Sequence, residues 1–415
     1  MRKFILMPEL YDGYFGSALS LSSPLVKIML ELPPEATGFY CGRDYSAANP
    51  QLLEELSGRG VPIVYDSLDG ISPDTVVLAD PAAKTSEKFA KVKSLGAKIL
   101  FYLDVTEEIG YAPSANEFFL YTSETQMFLS MSGGRFSLDA QGSPEVGLRP
   151  DGGQAGAVGL LRGSILEGRE EEKAVLKARL AEIMGREFHP KLPLALHFMT
   201  HHNVLADVDR GLSLLGNKVN VLIKNLDWHG GLFKDFVSGA KGKLVFVFKQ
   251  HSQEYNRLLR FASDVFMPGC FGGALPTSLM LGIRLIPVYT QHVYASAALY
   301  QQKMLSSFSQ HMRTGFLSIP VKIMDYLPPI CINATDMLHD RIFDCDYWKK
   351  YDQQLPQIQR AVFGRYLLGE AALQRAKGFI VRLLQYGSFL PPNANAKDFV
   401  SVTHPLNTGN AMPPL

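Results

Sequence analysis

Several signatures of common protein classes are missing from this 415-residue chain. Its four cysteines form no Cys-x-x-Cys pair, which disfavours a zinc site built on paired cysteines. The loop after the first apolar run is not Gly-x-Gly-x-x-Gly, so a nicotinamide cofactor has no support. No His-Glu-x-x-His motif is present, and no Asp-x-Asp motif is placed to hold a metal. We therefore predict neither a metal nor a cofactor.

An excess of one charge and a long apolar run are also lacking. Lys and Arg number 41 against 40 for Asp and Glu, so no overall field indicates a nucleic-acid partner. The longest uncharged run, 265–283, contains prolines and glycines and is a poor membrane-spanning helix. The apolar start of the chain is too short for a secretory signal, and scattered cysteines are typical of a reducing compartment. We expect a cytoplasmic protein.

Short apolar runs alternate with helix-like segments through the first half. This alternation predicts a parallel sheet covered by helices on both faces, an α/β fold. The predicted strands are Lys3–Met7, Thr37–Cys41, Val61–Tyr65, Thr75–Ala79 and Lys98–Tyr102, and the predicted helices are Ser17–Glu31, Asn49–Ser57 and Thr85–Ser94.

The loop after the first strand carries two acidic residues, Glu9 and Asp12, and two glycines. Parallel sheets bind ligands at the carboxyl ends of their strands, so this loop is a candidate substrate site. Glu9 or Asp12 is then a candidate base for an acceptor hydroxyl. The alternative is a plain strand-to-helix turn. Further on, 139–163 is rich in glycine and is predicted to be a linker.

The second half repeats the α/β pattern. A charged amphipathic helix at 170–186 leads into predicted strands that alternate again with helices. The strands are Leu192–Met199, Val219–Ile223, Lys243–Phe248, Asp264–Met267 and Arg284–Tyr289. The residues that follow these strands are polar or glycine, and they include Thr200, His201, His229, Gly272, Gly273 and His292.

This order of pieces over about 170–300 resembles the C-terminal domain of GT-B glycosyltransferases, most closely the CDP-glycerol glycerophosphotransferase branch. The matching pieces are Ile223-Lys224 with His229, the segment 262–267, Gly272-Gly273, and the segment 282–287. The resemblance implies two Rossmann-like domains facing each other across a cleft, with the nucleotide-linked donor in the second domain. Many enzymes of this fold carry an acidic residue for the donor ribose at the position of Thr277.

The resemblance and the chemistry of a donor diphosphate together give the candidate donor-binding residues. Glycines let a phosphate approach the backbone, and a lysine or histidine neutralises the leaving group. The candidates are Thr200, His201, Lys224, His229, Gly272, Gly273, Thr277 and His292, and the catalytic candidates are Asp12, Glu9 and His229. Two alternatives stay open: Gly272-Gly273 as a tight turn, and His229 as a loop residue beside Trp228.

The predicted domains are an acceptor domain at 1–165 and a donor domain at 166–350. Helices at 351–390 cross back to the first domain, and 391–415 is a loose tail. Because the helices within 355–386 are basic and amphipathic, they either pack on the protein or rest on the inner face of a membrane.

The predicted function is transfer of a sugar or polyol-phosphate group from a nucleotide-activated donor to an acceptor hydroxyl. The acceptor is expected to be a glycan or lipid-linked molecule in cell-surface polymer synthesis. Two alternatives remain: a nucleotide-sugar epimerase of the same fold, with Asp264 or Asp227 near the sugar, and a catalytically idle nucleotide-binding relative.

Overall fold

The computed structural model describes residues 2–11, 23–103, 113–122, 134–138, 144–161, 188–198, 218–225, 244–247, 260–269, 274–291, 323–364, 367–390 and 399–400, with short pieces at 19, 127, 131, 173–175, 177–178, 181, 212, 215, 293–295, 392 and 394. These residues form two compact units. Unit 1 takes the described parts of Met1–Ser164 and Tyr366–Leu415, and unit 2 takes those of Ile165–Arg313 and Leu317–Arg365.

The strands and helices alternate through most of the described chain. The strands are β1 (Lys3–Leu6), β2 (Thr37–Cys41), β3 (Ile63–Tyr65), β4 (Thr75–Ala79), β5 (Lys98–Leu103), β6 (Glu117–Tyr121), β7 (Arg135–Leu138), β8 (Pro144–Leu148), β9 (Gln154–Ala157), β10 (Leu194–Phe198), β11 (Asn220–Asn225), β12 (Leu244–Val247), β13 (Val265–Pro268), β14 (Val288–Tyr289), β15 (Ile330–Cys331) and β16 (Phe399–Val400). The helices are α1 (Pro8–Tyr11), α2 (Pro24–Leu30), α3 (Arg43–Ala48), α4 (Pro50–Gly58), α5 (Glu87–Ser94), α6 (Ala274–Met280), α7 (Thr335–Phe343), α8 (Cys345–Phe363) and α9 (Gly369–Tyr386).

Unit 1 is built on one large sheet. Its parallel part has the strand order β3-β2-β1-β4-β5-β6-β9, and β8, β7 and β16 extend it as antiparallel strands. The order therefore reverses between β1 and β4, as in Rossmann-like sheets. All five strands predicted from the first half belong to this sheet, and β16 comes from the predicted tail.

The sheet of unit 1 is buried on both faces because successive side chains of each strand point to opposite sides. Phe4 and Leu6 belong to a cluster that also takes in α2, α4 and α9. Ile5 and Met7 belong to a second cluster, with Phe89 of α5. The strands are continuously apolar because helices cover both faces of the sheet, as the sequence pattern predicted.

The linker predicted at 139–163 is wrong for its described residues, which include β8 and β9. Glycine has a packing role here. A Cβ added to Gly156 would meet the ring of Phe379 in α9 at 2.7 Å. One at Gly159, where φ is +88°, would meet the Leu367 carbonyl oxygen at 2.4 Å. Gly156 therefore allows the close approach of α9, and Gly159 that of Leu367 just before it, both from the far end of the chain.

Helix α9 packs on unit 1. Its apolar side chains from Ala372 to Leu384 join the first cluster of the unit. Two of its basic side chains are paired: Lys377 Nζ lies 2.6 Å from Glu31 Oε2, and Arg382 Nη2 lies 2.5 Å from Glu145 Oε1. The apolar face of this helix is thus occupied by protein. Among the described residues, no helix has the length and apolar content needed to cross a bilayer.

Unit 2 contains a four-stranded parallel sheet in the order β12-β11-β10-β13. Leu285 bridges Phe266 of β13 in parallel, and β14 pairs with β15 beyond it. The strand predicted at 284–289 is therefore split around Pro287. Helix α8 packs on this unit, since Tyr351 donates a hydrogen bond to the Ile283 carbonyl at 2.8 Å.

Candidate functional site

The sheet of unit 2 has a crossover point between β10 and β13. The chain goes from β10 to β11 and β12 on one side, then returns to β13 on the other side. In open α/β sheets, ligands bind at such a point, outside the carboxyl ends of the strands. The two ends meet directly, because the Gly269 backbone N–H donates to the Phe198 carbonyl at 2.9 Å.

The predicted donor residues follow the strands that end at this edge. Lys224 is the next-to-last residue of β11 and pairs with Phe198, the last residue of β10. The chain continues from β10 into the predicted Thr200 and His201, and from Gly269 towards α6 through Gly272 and Gly273. The side chain of Lys224 and all of Thr200, His201, His229, Gly272, Gly273 and His292 lie outside the described residues, as does Asp12. Their roles stay predictions.

Thr277 is described and lies in α6, the helix that follows this edge. Its side chain is buried, with 2% of the residue exposed, and its carbonyl accepts a hydrogen bond from the Leu281 N–H. The predicted contact with the donor ribose therefore requires a neighbouring group to move or the ribose to reach a buried hydroxyl. Its role also stays a prediction.

Arg260 is a buried cation that sequence reasoning missed. Its guanidinium lies 5.7 Å from the Phe198 ring centre and 5.8 Å from that of Phe266, which is cation–π distance. Nη1 donates to the carbonyl of Ala274, the first residue of α6, at 3.3 Å. Arg260 thus joins the crossover strands to the helix that follows Gly272 and Gly273 in the sequence. The only sequence signal was an arginine inside an apolar helix end.

The sheet of unit 1 has an equivalent crossover between β1 and β4, and Glu9 lies beside it. Glu9 Oε1 accepts a hydrogen bond from the Gly42 backbone N at 2.7 Å and lies 3.2 Å from Lys88 Nζ. Gly42 directly follows β2, and Lys88 is in α5. Glu9, predicted from the loop after the first strand, is therefore held at the carboxyl edge by two elements distant in sequence.

Gly42 lies next to two carboxylates. A Cβ placed on it would be 3.3 Å from Glu9 Oε1 and 3.5 Å from Asp66 Oδ1. Asp66 follows β3, has a φ of +49° and pairs with the exposed Arg43 at 3.4 Å. The carboxyl ends of β1, β2 and β3 thus bring charged groups of both signs together.

Cys41 is buried next to this group. The pKa of the Cys41 thiol is raised to about 11, first by burial and then by the carboxylates of Glu9 and Asp66, while Lys88 acts in the opposite direction. The thiol is therefore protonated at neutral pH, which disfavours a nucleophilic role.

Asp264, one of the two carboxylates considered for an epimerase, lies at the opposite edge of unit 2, and the other, Asp227, lies outside the described residues. It comes directly before β13, and its Oδ2 accepts from the backbone N of Leu194, the first residue of β10, at 2.8 Å. Lys177 Nζ lies 2.9 Å from the same oxygen. Asp264 therefore connects the amino ends of the strands. In the described part of the chain, no three His, Cys, Asp or Glu residues form a metal-binding group.

Comparisons with known proteins agree with this architecture. No protein-family model and no curated protein sequence matches the chain. HepE from Anabaena with UDP-glucose is 9% identical, with a TM-score of 0.50 over 92% of this chain and 99% of that one. LpCGTa with UDP is 12% identical, with a TM-score of 0.46 over 92% of this chain and 99% of that one. UDP-GlcNAc 2-epimerase from Neisseria meningitidis is 10% identical, with a TM-score of 0.41 over 93% of this chain and 100% of that one. The likeness to HepE confirms the predicted fold class, so this chain has the two Rossmann-like domains of the GT-B glycosyltransferase fold.

Proposed function

We propose that this protein transfers a sugar or polyol-phosphate group from a nucleotide-activated donor to an acceptor hydroxyl. Unit 2 binds the donor, and unit 1 binds the acceptor. The crossover between β10 and β13 carries this proposal, because it offers a ligand site at the edge where the predicted donor residues follow their strands. The fold shared with HepE, whose structure contains UDP-glucose, supports a UDP-sugar as the first donor to test.

The donor side has to stabilise an anionic leaving group. A nucleoside diphosphate gains negative charge as its bond to the sugar breaks, and backbone amides and cations at the site stabilise it. The glycines at 269 and 272–273 allow a phosphate to come close to the backbone. Lys224 and His229 supply the positive charge. The donor is a substrate, and the proposal requires neither a cofactor nor a metal.

The acceptor side has to take a proton. Glu9 lies at the carboxyl edge of the unit 1 sheet, Asp12 follows it in the sequence, and these two residues are the proposed bases. We propose a glycan or a lipid-linked molecule as the acceptor, in the synthesis of a cell-surface polymer. This part rests on the resemblance to the CDP-glycerol branch, so CDP-linked donors belong in the same trial as UDP-sugars. The proposal also places the protein in the cytoplasm, at the inner face of the membrane when the acceptor is lipid-linked.

Nucleotide binding is the first test. Titration calorimetry with UDP, CDP, GDP and CMP should give one preferred nucleotide. Replacing Lys224 with Met should weaken its binding about 10- to 100-fold, because a hydrogen bond to a charged group contributes about 1.5–3 kcal/mol. The control is Lys218→Met, since Lys218 is exposed at the amino end of the same strand. Equal affinities for the two variants would contradict the donor site.

Turnover separates the transferase from its alternatives. Release of nucleotide from a UDP- or CDP-linked donor, with water or an acceptor, indicates a transferase. Isomerisation of a UDP-sugar without release indicates the epimerase, and binding without either reaction indicates an idle relative. Asp264 lies at the amino edge of the unit 2 sheet and not near the crossover. Of the two carboxylates considered for the epimerase, neither is therefore found near the crossover among the described residues.

A further inference from the structure

The Glu9 carboxylate is fixed through one of its two oxygens. The Gly42 N–H and the Lys88 ammonium both contact Oε1. Among the described residues, no hydrogen bond to Oε2 is present, and a third of the Glu9 side chain is exposed. Oε1 is therefore anchored by two contacts, and Oε2 accepts no hydrogen bond from the described residues.

We propose that Gly42 and Lys88 are positioning residues that hold Glu9 so that its Oε2 takes the proton of the acceptor hydroxyl. This inference rests on the proposed function and deepens it. It assigns Glu9 rather than Asp12 as the base, and it gives roles to two residues that the sequence did not single out.

The reaction at this site balances without a further reactant. The acceptor oxygen forms a bond to the anomeric carbon of the sugar, while the bond from that carbon to the diphosphate oxygen breaks. The electron pair of the broken bond leaves with the nucleoside diphosphate, and the hydroxyl proton moves to Glu9 Oε2. Aligning the reacting atoms contributes a large part of such a rate, so an anchored carboxylate is favoured over a free one.

The two contacts are suited to positioning rather than to stability. Lys88 and Glu9 have side chains 35% and 33% exposed, and an ion pair at such a position contributes about 0–1 kcal/mol to folding. The absence of a side chain at Gly42 allows the Glu9 carboxylate to lie close to the backbone, because a Cβ there would be only 3.3 Å from Oε1. Gly42→Ala therefore keeps the N–H donor and shifts the carboxylate by a few tenths of an ångström.

The experiment measures donor turnover, donor KM and nucleotide affinity for a set of variants in the full chain. Glu9→Gln should lower kcat about 10²- to 10⁴-fold, as expected for loss of a general base. Lys88→Met should lower kcat about 10- to 100-fold, and Gly42→Ala about 2- to 10-fold, through misplacement of that base. Donor KM and nucleotide affinity should stay within about twofold, because these belong to unit 2, and Lys88→Arg should restore most of the rate.

Lys91→Met is the matched control. Lys91 is in α5 like Lys88, but it pairs with Glu87 at 2.7 Å and does not contact Glu9. It should behave like the wild type. Full turnover in Glu9→Gln overturns the assignment of the base, even while nucleotide binding and transfer uphold the proposed function. A Lys88→Met rate equal to that of Lys91→Met overturns the positioning role. A wild type that turns over no nucleotide-linked donor overturns both proposals.

Discussion

Acid should destabilise unit 2 through one buried histidine, His197. It lies in β10, between β11 and β13, and has no exposed surface. Burial lowers the pKa of His197 to about 4, partly opposed by contact with the Met267 backbone. The unfolded chain has the ordinary value of about 6.5, so as pH falls below that value the unfolded state takes up the proton first. Stability is therefore present above about pH 6.5 and is lost as pH falls towards 4.

The size of the loss follows from the two values. Between pH 7 and pH 5 the difference in proton binding lowers the free energy of unfolding by about 2 kcal/mol. With a urea dependence of about 2 kcal/mol per molar, the midpoint moves by about 1 M. Trp348 is buried in α8 of unit 2, and the other tryptophan, Trp228, lies in the sequence between strands of the same unit, so intrinsic tryptophan fluorescence follows its unfolding.

The informative comparison is between wild type and His197→Gln, which keeps a polar side chain of similar size and cannot be protonated. The variant will be less stable at both pH values, but its midpoint should fall about 1 M less than that of the wild type between pH 7 and pH 5. His189→Gln, which changes an exposed imidazole of the same unit, should follow the wild type. Parallel shifts for wild type and His197→Gln would refute the reasoning.

Two further predictions concern unit 1 and are read from thermal unfolding. Gly156→Ala should lower the free energy of unfolding by about 1–3 kcal/mol, because the new Cβ would meet the Phe379 ring. Gly58→Ala is the control, since its Cβ would have open space and the change should be nearly neutral. Equal melting temperatures for the two variants would rule out this contact. Ser86→Ala should lower the free energy of unfolding of unit 1 by about 1 kcal/mol, because the Ser86 hydroxyl caps α5 by accepting a hydrogen bond from the Phe89 N–H at 3.1 Å. An unchanged melting temperature would show that the cap contributes nothing.

The sequence predicted β1 to β5 of unit 1 and the four strands of the unit 2 sheet, because most of the described strands are buried on both faces. Such strands are continuous apolar runs, and this pattern is local. Thr37–Cys41 and Thr75–Ala79 were predicted to the residue. Glu117–Tyr121 has the same pattern, with all five residues buried, and was not assigned.

The glycine-rich strands could not be predicted from local pattern. β9 reads as a linker because its residues are small, and they are small because α9 packs on them from more than 200 positions later. The candidate sites show the same limit. Glu9 was visible as an acidic residue after a strand, but its contacts with Gly42 and Lys88 depend on strand order and on the placement of α5. The contacts of Arg260 near the crossover of unit 2 could not be predicted for the same reason.

The packing of α9 on unit 1 has a consequence for how the protein is made. A ribosome that synthesises the chain from its amino end releases all of unit 2 before the helix that covers Gly156 emerges. During that interval the apolar side chains of Phe118 and Leu120, which pack in one cluster with those of α9 in the folded protein, remain exposed to water. Unit 2 can therefore complete its core during translation, whereas unit 1 waits for the last helix, and the nascent chain is most prone to aggregation in between.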